Sequence, residues 1–334
     1  MCSLLLEGEK MNIWINKLLD KKNVFKNITL QDKNLYEKYI VDSEYEANVW
    51  GGNFTYLWSH NFSKNLTIYK TMINDMLTTF ILTKRGRLFL PCLPFGKGNP
   101  DKVLNVLIKC GNICSNWNKE SKYLHKSLVN PVNTPQLTFL KQAKLYNKHF
   151  STEKLSGIER HYSIPKLVNL SGKEFSKVRN RLNKFNKTYS NSIIRKYENN
   201  DFSEVMNLGR LWEKTSGKKY KRIIDGFYFE PIIKYSKELN HIILVIELNN
   251  KIIGINTAEI LSTGNGWGCI TKFDNNYSGL SEKLTIEMAK EIYKKSPHVK
   301  TINVGSDLGS KGLSFFKERF RPVLNYERFA LFYR

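Results

Sequence analysis

From His241 to Ser262 the chain reads HIILVIELNNKIIGINTAEILS, two runs dense in Ile, Val and Leu on either side of Asn249-Asn250. Asparagine tolerates the left-handed backbone that a tight hairpin turn requires, so the two runs fold back on each other as antiparallel strands. That hairpin constrains everything around it. SIIRKYENNDFSEVMNLGRLWEKTS before it gives a strand, an Asn/Asp turn and a helix. After it, GNGWGCITKFD is a strand, SGLSEKLTIEMAKEIYKKS a helix, VKTINVGSD a strand, GSKGLSFFKERF a helix and YERFALFYR a closing strand. Helices alternating with a hairpin and single strands predict an α+β fold around a mixed central sheet.

The first half has a similar order. TLQD (Thr29–Asp32) is a helix-capping pattern, LTIYKTMINDMLTTFILTKRGRLFLPCLPFG reads as three strands with turns at Asn74-Asp75 and Arg85-Gly86, and PDKVLNVLIKC begins a helix on Pro100. Two similar halves predict two related domains, 25–189 and 190–334, after an N-terminal leader or helix of residues 1–24. The five cysteines are odd in number and lack a CxxC pair, and the six histidines lack metal spacing, which predicts reduced thiols in a cytoplasmic protein and no metal site. No apolar run is long enough to cross a membrane. The formal net charge is +23, an excess that favours an anionic partner: nucleic acid, a phosphorylated substrate or peripheral contact with an anionic membrane.

Much of that charge is concentrated in FSKVRNRLNKFNKTYS, Phe175 to Ser190, which holds five cations and no carboxylate. Val178, Leu182, Phe185 and Tyr189 recur at the spacing of one buried helical stripe, and Lys177, Arg181 and Lys184 form a cationic stripe beside it. Arg179 points away from that stripe and is a candidate for an ion pair.

The segments KEFSKVRNRLNKFNKTYS, CITKFDNNYSGLSEKL and INVGSDLGSKGLSFFKERFRPV, with WGGNFTYLW near the start, occur in the order found in an uncharacterised bacterial family. That family is related to the C-terminal catalytic domain of the phosphatidylglycerol lysyltransferases, and the chain resembles it from Phe25 onward. The resemblance implies two tandem folds of the GCN5-related N-acetyltransferase type. It also implies kinship with enzymes that move an aminoacyl group from tRNA to an amine or hydroxyl. The chain departs from the family where Thr271 precedes Lys272 in place of glutamate, and where Val304-Gly305 follows Asn303 in place of Arg-Glu.

Acetyltransferases of this fold bind the CoA pyrophosphate on backbone amides at a helix N-terminus. Here the matching loop keeps Ser278, Gly279 and Ser281 but has Asn276 where a cation is usual, so the CoA signal is poor and a plain helix start is the competing reading. An aminoacyl-tRNA donor uses more of the chain. Lys177, Arg179, Arg181, Lys184, Lys219, Lys221, Arg222 and Lys311 are candidate phosphate contacts, and Tyr220 and Trp212 candidate stacking platforms, with Trp212 equally placed to be core. The donor ester is already activated, so no cofactor is required. For aminolysis of that ester, Asp274 and Asp307 are candidate groups to orient or deprotonate the nucleophile, and Lys272 or Lys311 to neutralise developing charge. Asp307 is equally read as a helix cap. The leading expectation is therefore an aminoacyltransferase taking its donor from tRNA and using a small-molecule or peptide acceptor. The alternatives are a CoA-dependent N-acyltransferase and a non-catalytic basic module binding RNA or anionic lipid.

Overall fold

A computed structural model describes residues 25–120, 123, 126–215, 217 and 225–334. The chain divides into two compact units, one ending at Gly157 and regaining Tyr326–Arg334, the other formed by Ile158–Asn325.

In the first unit, β1 (Lys26–Asn27), β2 (Leu66–Ile73), β3 (Met76–Thr83) and β4 (Leu88–Phe89) form an antiparallel sheet in that order. Asn74 and Asp75 both take positive φ at the β2–β3 turn, the conformation that short polar side chains tolerate. Thr29 and Asp32 form a reciprocal capping box ahead of α1 (Lys33–Val41), and Asn53 caps α2 (Phe54–Ser59). α3 (Pro100–Glu120) begins on its proline and buries Val103 and Leu107. Next come β5 (Val129–Asn133), α4 (Thr134–Leu140) and α5 (Tyr146–His149). β5 pairs antiparallel with β12 (Leu324–Tyr333). The chain leaves this unit within a single strand, β6 (Phe150–Ser163).

The second unit continues with α6 (Ile164–Asn169), the basic helix α7 (Ser176–Thr188), β7 (Ile193–Lys196), α8 (Phe202–Thr215) and α9 (Phe229–Lys234). The hairpin follows as β8 (Ile242–Leu248) and β9 (Lys251–Ile260), then β10 (Gly266–Phe273), α10 (Leu280–Lys295), β11 (Thr301–Ser306) and α11 (Lys311–Glu318). Its strands lie in the order β6-β11-β10-β9-β8-β7, antiparallel except for the β10–β11 pair. Asn249 and Asn250 adopt positive φ at the hairpin, as their sequence requires.

Helices cover both faces of this sheet. On one, Ala258 of β9 and Ile302 of β11 join a core with Val178 and Leu182 of α7 and with Met288, Ala289 and Ile292 of α10. α7 thus belongs to the second unit, with its apolar stripe buried as its spacing demands. On the other face, Lys272, cross-strand neighbour of Ile255, projects toward Trp212 of α8 and Phe229 of α9.

Candidate active site

The decisive local event is that β10 and β11 stop pairing almost as soon as they start. They register only at Gly266–Ile302 and Trp267–Asn303. Close approach there depends on glycine: a Cβ at Gly266 would lie 3.0 Å from the Ile302 Cβ, and one at Gly268 would lie 3.3 Å from a Val304 methyl. Both strands then become irregular. β10 shifts register between Gly268 and Ile270, making Cys269 a bulge, and β11 shifts against β6 between Asn303 and Ser306, with Gly305 at φ +73°. A bulge bends its strand and breaks the ladder, so two facing bulges open the sheet.

The bend in β11 is tied down on both sides. The Lys317 ammonium, buried at 7% exposure, donates to the carbonyls of Val304, Gly305 and Ser306 at 2.6, 2.8 and 3.0 Å. The Asn303 side chain accepts the Gly305 amide at 2.9 Å and donates to the Glu159 carboxylate at 3.0 Å.

A cavity of about 390 Å³ occupies the opening. Ile270, Thr271 and Phe273 line it from β10, and Thr285, Met288 and Ala289 from α10; α8 on the opposite face contributes Trp212. The cavity therefore passes through the layer of the sheet at the point where the strands part. Leu313, Phe316 and Lys317 of α11 complete its wall. Two polar residues of its wall are linked: Asn256 donates to the Leu284 carbonyl at 3.1 Å, and the Thr271 hydroxyl donates to Asn256 Oδ1 at 3.1 Å.

The anticipated carboxylates are not in this cavity wall. Asp274 accepts the Asn276 amide at 3.0 Å and closes its own turn. Asp307, 3% exposed, accepts the amides of Ile158 and Gly309 at 3.1 Å each and two bonds from Arg160 at 3.1 and 3.3 Å. Burial alone would raise its pKa, but the Gly309 and Ile158 amides and the Arg160 guanidinium outweigh that and hold it below the ordinary 3.8. Arg160 also binds Ser314, Glu318 and Asn325. A carboxylate so fully engaged is a strut of the β11–α11 corner. The helix cap itself is Ser310, whose hydroxyl accepts the Leu313 amide at 3.4 Å.

Lys272 is wholly buried, with its ammonium 4.0 Å from the Trp212 ring centre and 5.0 Å from that of Phe229. Trp212 is thus both a cavity wall and a cation–π partner. Lys177, Arg181 and Lys184 are exposed along α7, as their spacing predicts, and Lys311 is exposed at the start of α11. Arg179 instead donates to the carbonyls of Leu170 and Gly172, at the end of α6. Arg181 and Arg319 converge on Glu282, a carboxylate with 0% exposure that also accepts the Ser281 hydroxyl. Ser278 is exposed, and Gly279 sits at φ +89° so close to α7 that a Cβ would lie 2.6 Å from the Arg181 carbonyl. Lys219, Tyr220, Lys221 and Arg222 lie outside the described residues.

Arg160, Lys317 and Asn256 were not anticipated as parts of this architecture. Lys317 carried a usable signal, since it falls on the apolar side of GLSFFKERF, where a lysine requires buried acceptors.

A family model described as phosphatidylglycerol lysyltransferase, C-terminal, matches residues 139–332. The chain belongs to that family. Membership supports an aminoacyltransferase kind of function. No curated protein sequence matches. A conserved protein of unknown function from Bacteroides thetaiotaomicron is similar over 93% of this chain and 99% of its own, with 20% identity and a TM-score of 0.78. L-PGS from Bacillus licheniformis is similar over 91% and 92%, with 15% identity and a TM-score of 0.60. The C-terminal domain of a putative lysylphosphatidylglycerol synthetase from Agrobacterium fabrum is similar over the same shares, 91% and 92%, with 12% identity and a TM-score of 0.62. In fold, the chain is α+β, with a large mixed sheet flanked by helices. Among the described residues no helix is long and apolar enough to cross a membrane, and no group of His, Cys, Asp and Glu is arranged to hold a metal.

Proposed function

We propose that the second unit transfers an aminoacyl group from aminoacyl-tRNA to an acceptor carrying an amine or hydroxyl, in the opening between β10 and β11, in the cytoplasm. The observation that carries this reading is the cavity that reaches through the sheet, with walls from α10 on one face and α8 on the other. Such an opening lets two reactants approach one centre from separate sides, and alignment is the main requirement when the donor ester is already activated. The exposed Lys177, Arg181 and Lys184 supply a phosphate-binding stripe on α7, and the net charge of +23 supports a polyanionic partner.

The test begins with protein purified without nuclease treatment, from which bound RNA is sequenced and scored for charged tRNA. Replacing Lys177, Arg181 and Lys184 together by Gln weakens tRNA binding. It also flattens the dependence of log K on log salt by roughly 0.7–0.9 for each phosphate that is no longer neutralised. Binding that ignores salt, or is unchanged by the triple substitution, refutes the tRNA donor.

CoA-dependent N-acyl transfer is the second reading. The packing of Gly279 against the Arg181 carbonyl and the seating of Glu282 at the first turn of α10 weigh against a pyrophosphate there. No thermal stabilisation by acetyl-CoA is therefore expected, and a saturable upward shift of several degrees would favour this reading instead. A protein that binds tRNA but transfers nothing would be a basic binding module.

A further inference from the structure

The polar pair in the cavity wall has a fixed direction. The Leu284 carbonyl can only accept, so the Asn256 amide must face it with its nitrogen, which leaves Oδ1 toward Thr271. Oδ1 can only accept, so the Thr271 hydroxyl spends its one proton there. The Thr271 oxygen therefore presents acceptor capacity alone to the cavity that it lines. Whatever binds beside it must bring an N–H or O–H.

Two further features choose between those. Among the described residues the cavity wall is dominated by apolar side chains such as Ile270, Phe273, Met288 and Leu313, and its charged member is Lys317, whose ammonium sits close by on the β11 carbonyls. Low polarity and a neighbouring cation both disfavour the protonated form of a bound amine and so expose its lone pair. A hydroxyl nucleophile gains nothing from that field and needs a base, and the described lining residues include no carboxylate or imidazole. A neutral amine attacks an activated ester without one.

We propose that the acceptor is a primary amine on an apolar body, held in its neutral form and oriented by an N–H donated to Thr271 Oγ1. This rests on the transferase reading above and narrows it. The amine nitrogen attacks the aminoacyl carbonyl carbon, a C–N bond forms and the C–O bond to the tRNA ribose breaks. The proton that nitrogen loses ends on the departing ribose oxygen, giving an amide and deacylated tRNA. Thr271 is a positioning residue for the nucleophile.

The test supplies the full chain with tRNA charged in turn with labelled amino acids, and with paired acceptors, hexylamine and hexanol. Mild alkali separates the products, because it hydrolyses an ester and spares an amide. Alkali-stable product from hexylamine, at least a hundredfold above ester from hexanol, is the expected result. Thr271→Val should lower the amide rate about tenfold, the size of one missing hydrogen bond, and Thr271→Ser should restore it. In the wild-type protein the bound amine should stay reactive below the pH at which the free amine loses its proton. Ester formation without amide overturns the amine assignment and leaves the transferase reading intact. No product from either acceptor, with any donor, overturns both. A Thr271→Val rate equal to wild type overturns the role given to Thr271.

Discussion

The two strands that bound the cavity solve the same problem with different materials. β11 is bent by charge. The Lys317 ammonium holds three of its carbonyls, and Arg160 and Asp307 clamp its end to β6 and α11. β10 is shaped by a bulge at Cys269 and glycines at 266 and 268, and its buried cation, Lys272, rests against aromatic rings. Directional bonds specify a position, whereas aromatic packing tolerates small shifts. The contrast casts β11 as the edge of the opening fixed by directional bonds to α11 and β6.

The harshest test of that contrast is Arg160→Ala. It takes the guanidinium from a buried carboxylate and from Ser314, Glu318 and Asn325 as well, and breaking a buried pair by removing one member costs about 3–5 kcal/mol. Urea unfolding followed by circular dichroism should show the midpoint falling sharply. A destabilisation below about 1 kcal/mol would mean that the clamp is ornamental.

Lys317→Met comes next. Methionine fills the space but leaves three carbonyls without their common donor, for a destabilisation of about 2–4 kcal/mol on the same unfolding curve. Faster hydrogen exchange at Val304–Ser306, with β10 amides unchanged, would sharpen the case that β11 is fixed from α11.

Asp307→Asn is milder at neutral pH, about 1–2 kcal/mol, and its signature is in the pH dependence. The folded-state pKa of Asp307 is depressed, so its contribution is fully present above 3.8 and fades as the pH falls below that value toward the folded pKa. The substitution should flatten the stability profile in that acidic range only. As Asp307 is a strut, the folded variant should retain its transfer rate. A 10²–10⁴-fold drop with unchanged stability would mark it as an acid or base after all.

The smallest effect belongs to Lys272→Met. Removing a buried cation–π interaction costs about 2 kcal/mol, and relief of the cost of burying the charge offsets part of that. Stability within about 1 kcal/mol of wild type is expected. A fall as large as that of Lys317→Met would erase the distinction between the two walls.

Local patterns made most of the second unit legible. The Asn249-Asn250 hairpin, the stripe of Val178, Leu182 and Phe185, and, in the first unit, the helix opening on Pro100 each express one short-range rule, and each is present. β6 was not legible, because FSTEKLSGIERHYS has no sustained alternation over its first ten residues and contains a glycine that reads as a break. With β6 hidden, so were Glu159 and Arg160, and Asp307 stood without its partners. Two of the cavity residues were missed for another reason. Asn256 and Thr271 matter as a cross-strand pair, and register is set by pairing over distance, which no single segment displays. Carboxylates at strand ends attract attention in a sequence; here they close corners, and the opening is lined by residues of ordinary appearance.

The route of the chain has a consequence for how the protein is made. The first unit is discontinuous: its β5 waits for β12, whose Tyr326–Arg334 portion follows the entire second unit. On a ribosome the second unit is complete before the first has received its last strand. Until then Val129–Asn133 is a strand edge without the partner it will have in the finished fold, the kind of edge that recruits other chains. Synthesis stalled just short of Tyr326 would therefore yield a molecule with an intact candidate active site and a sticky first unit, and a nascent chain in that interval is the one most in need of a chaperone.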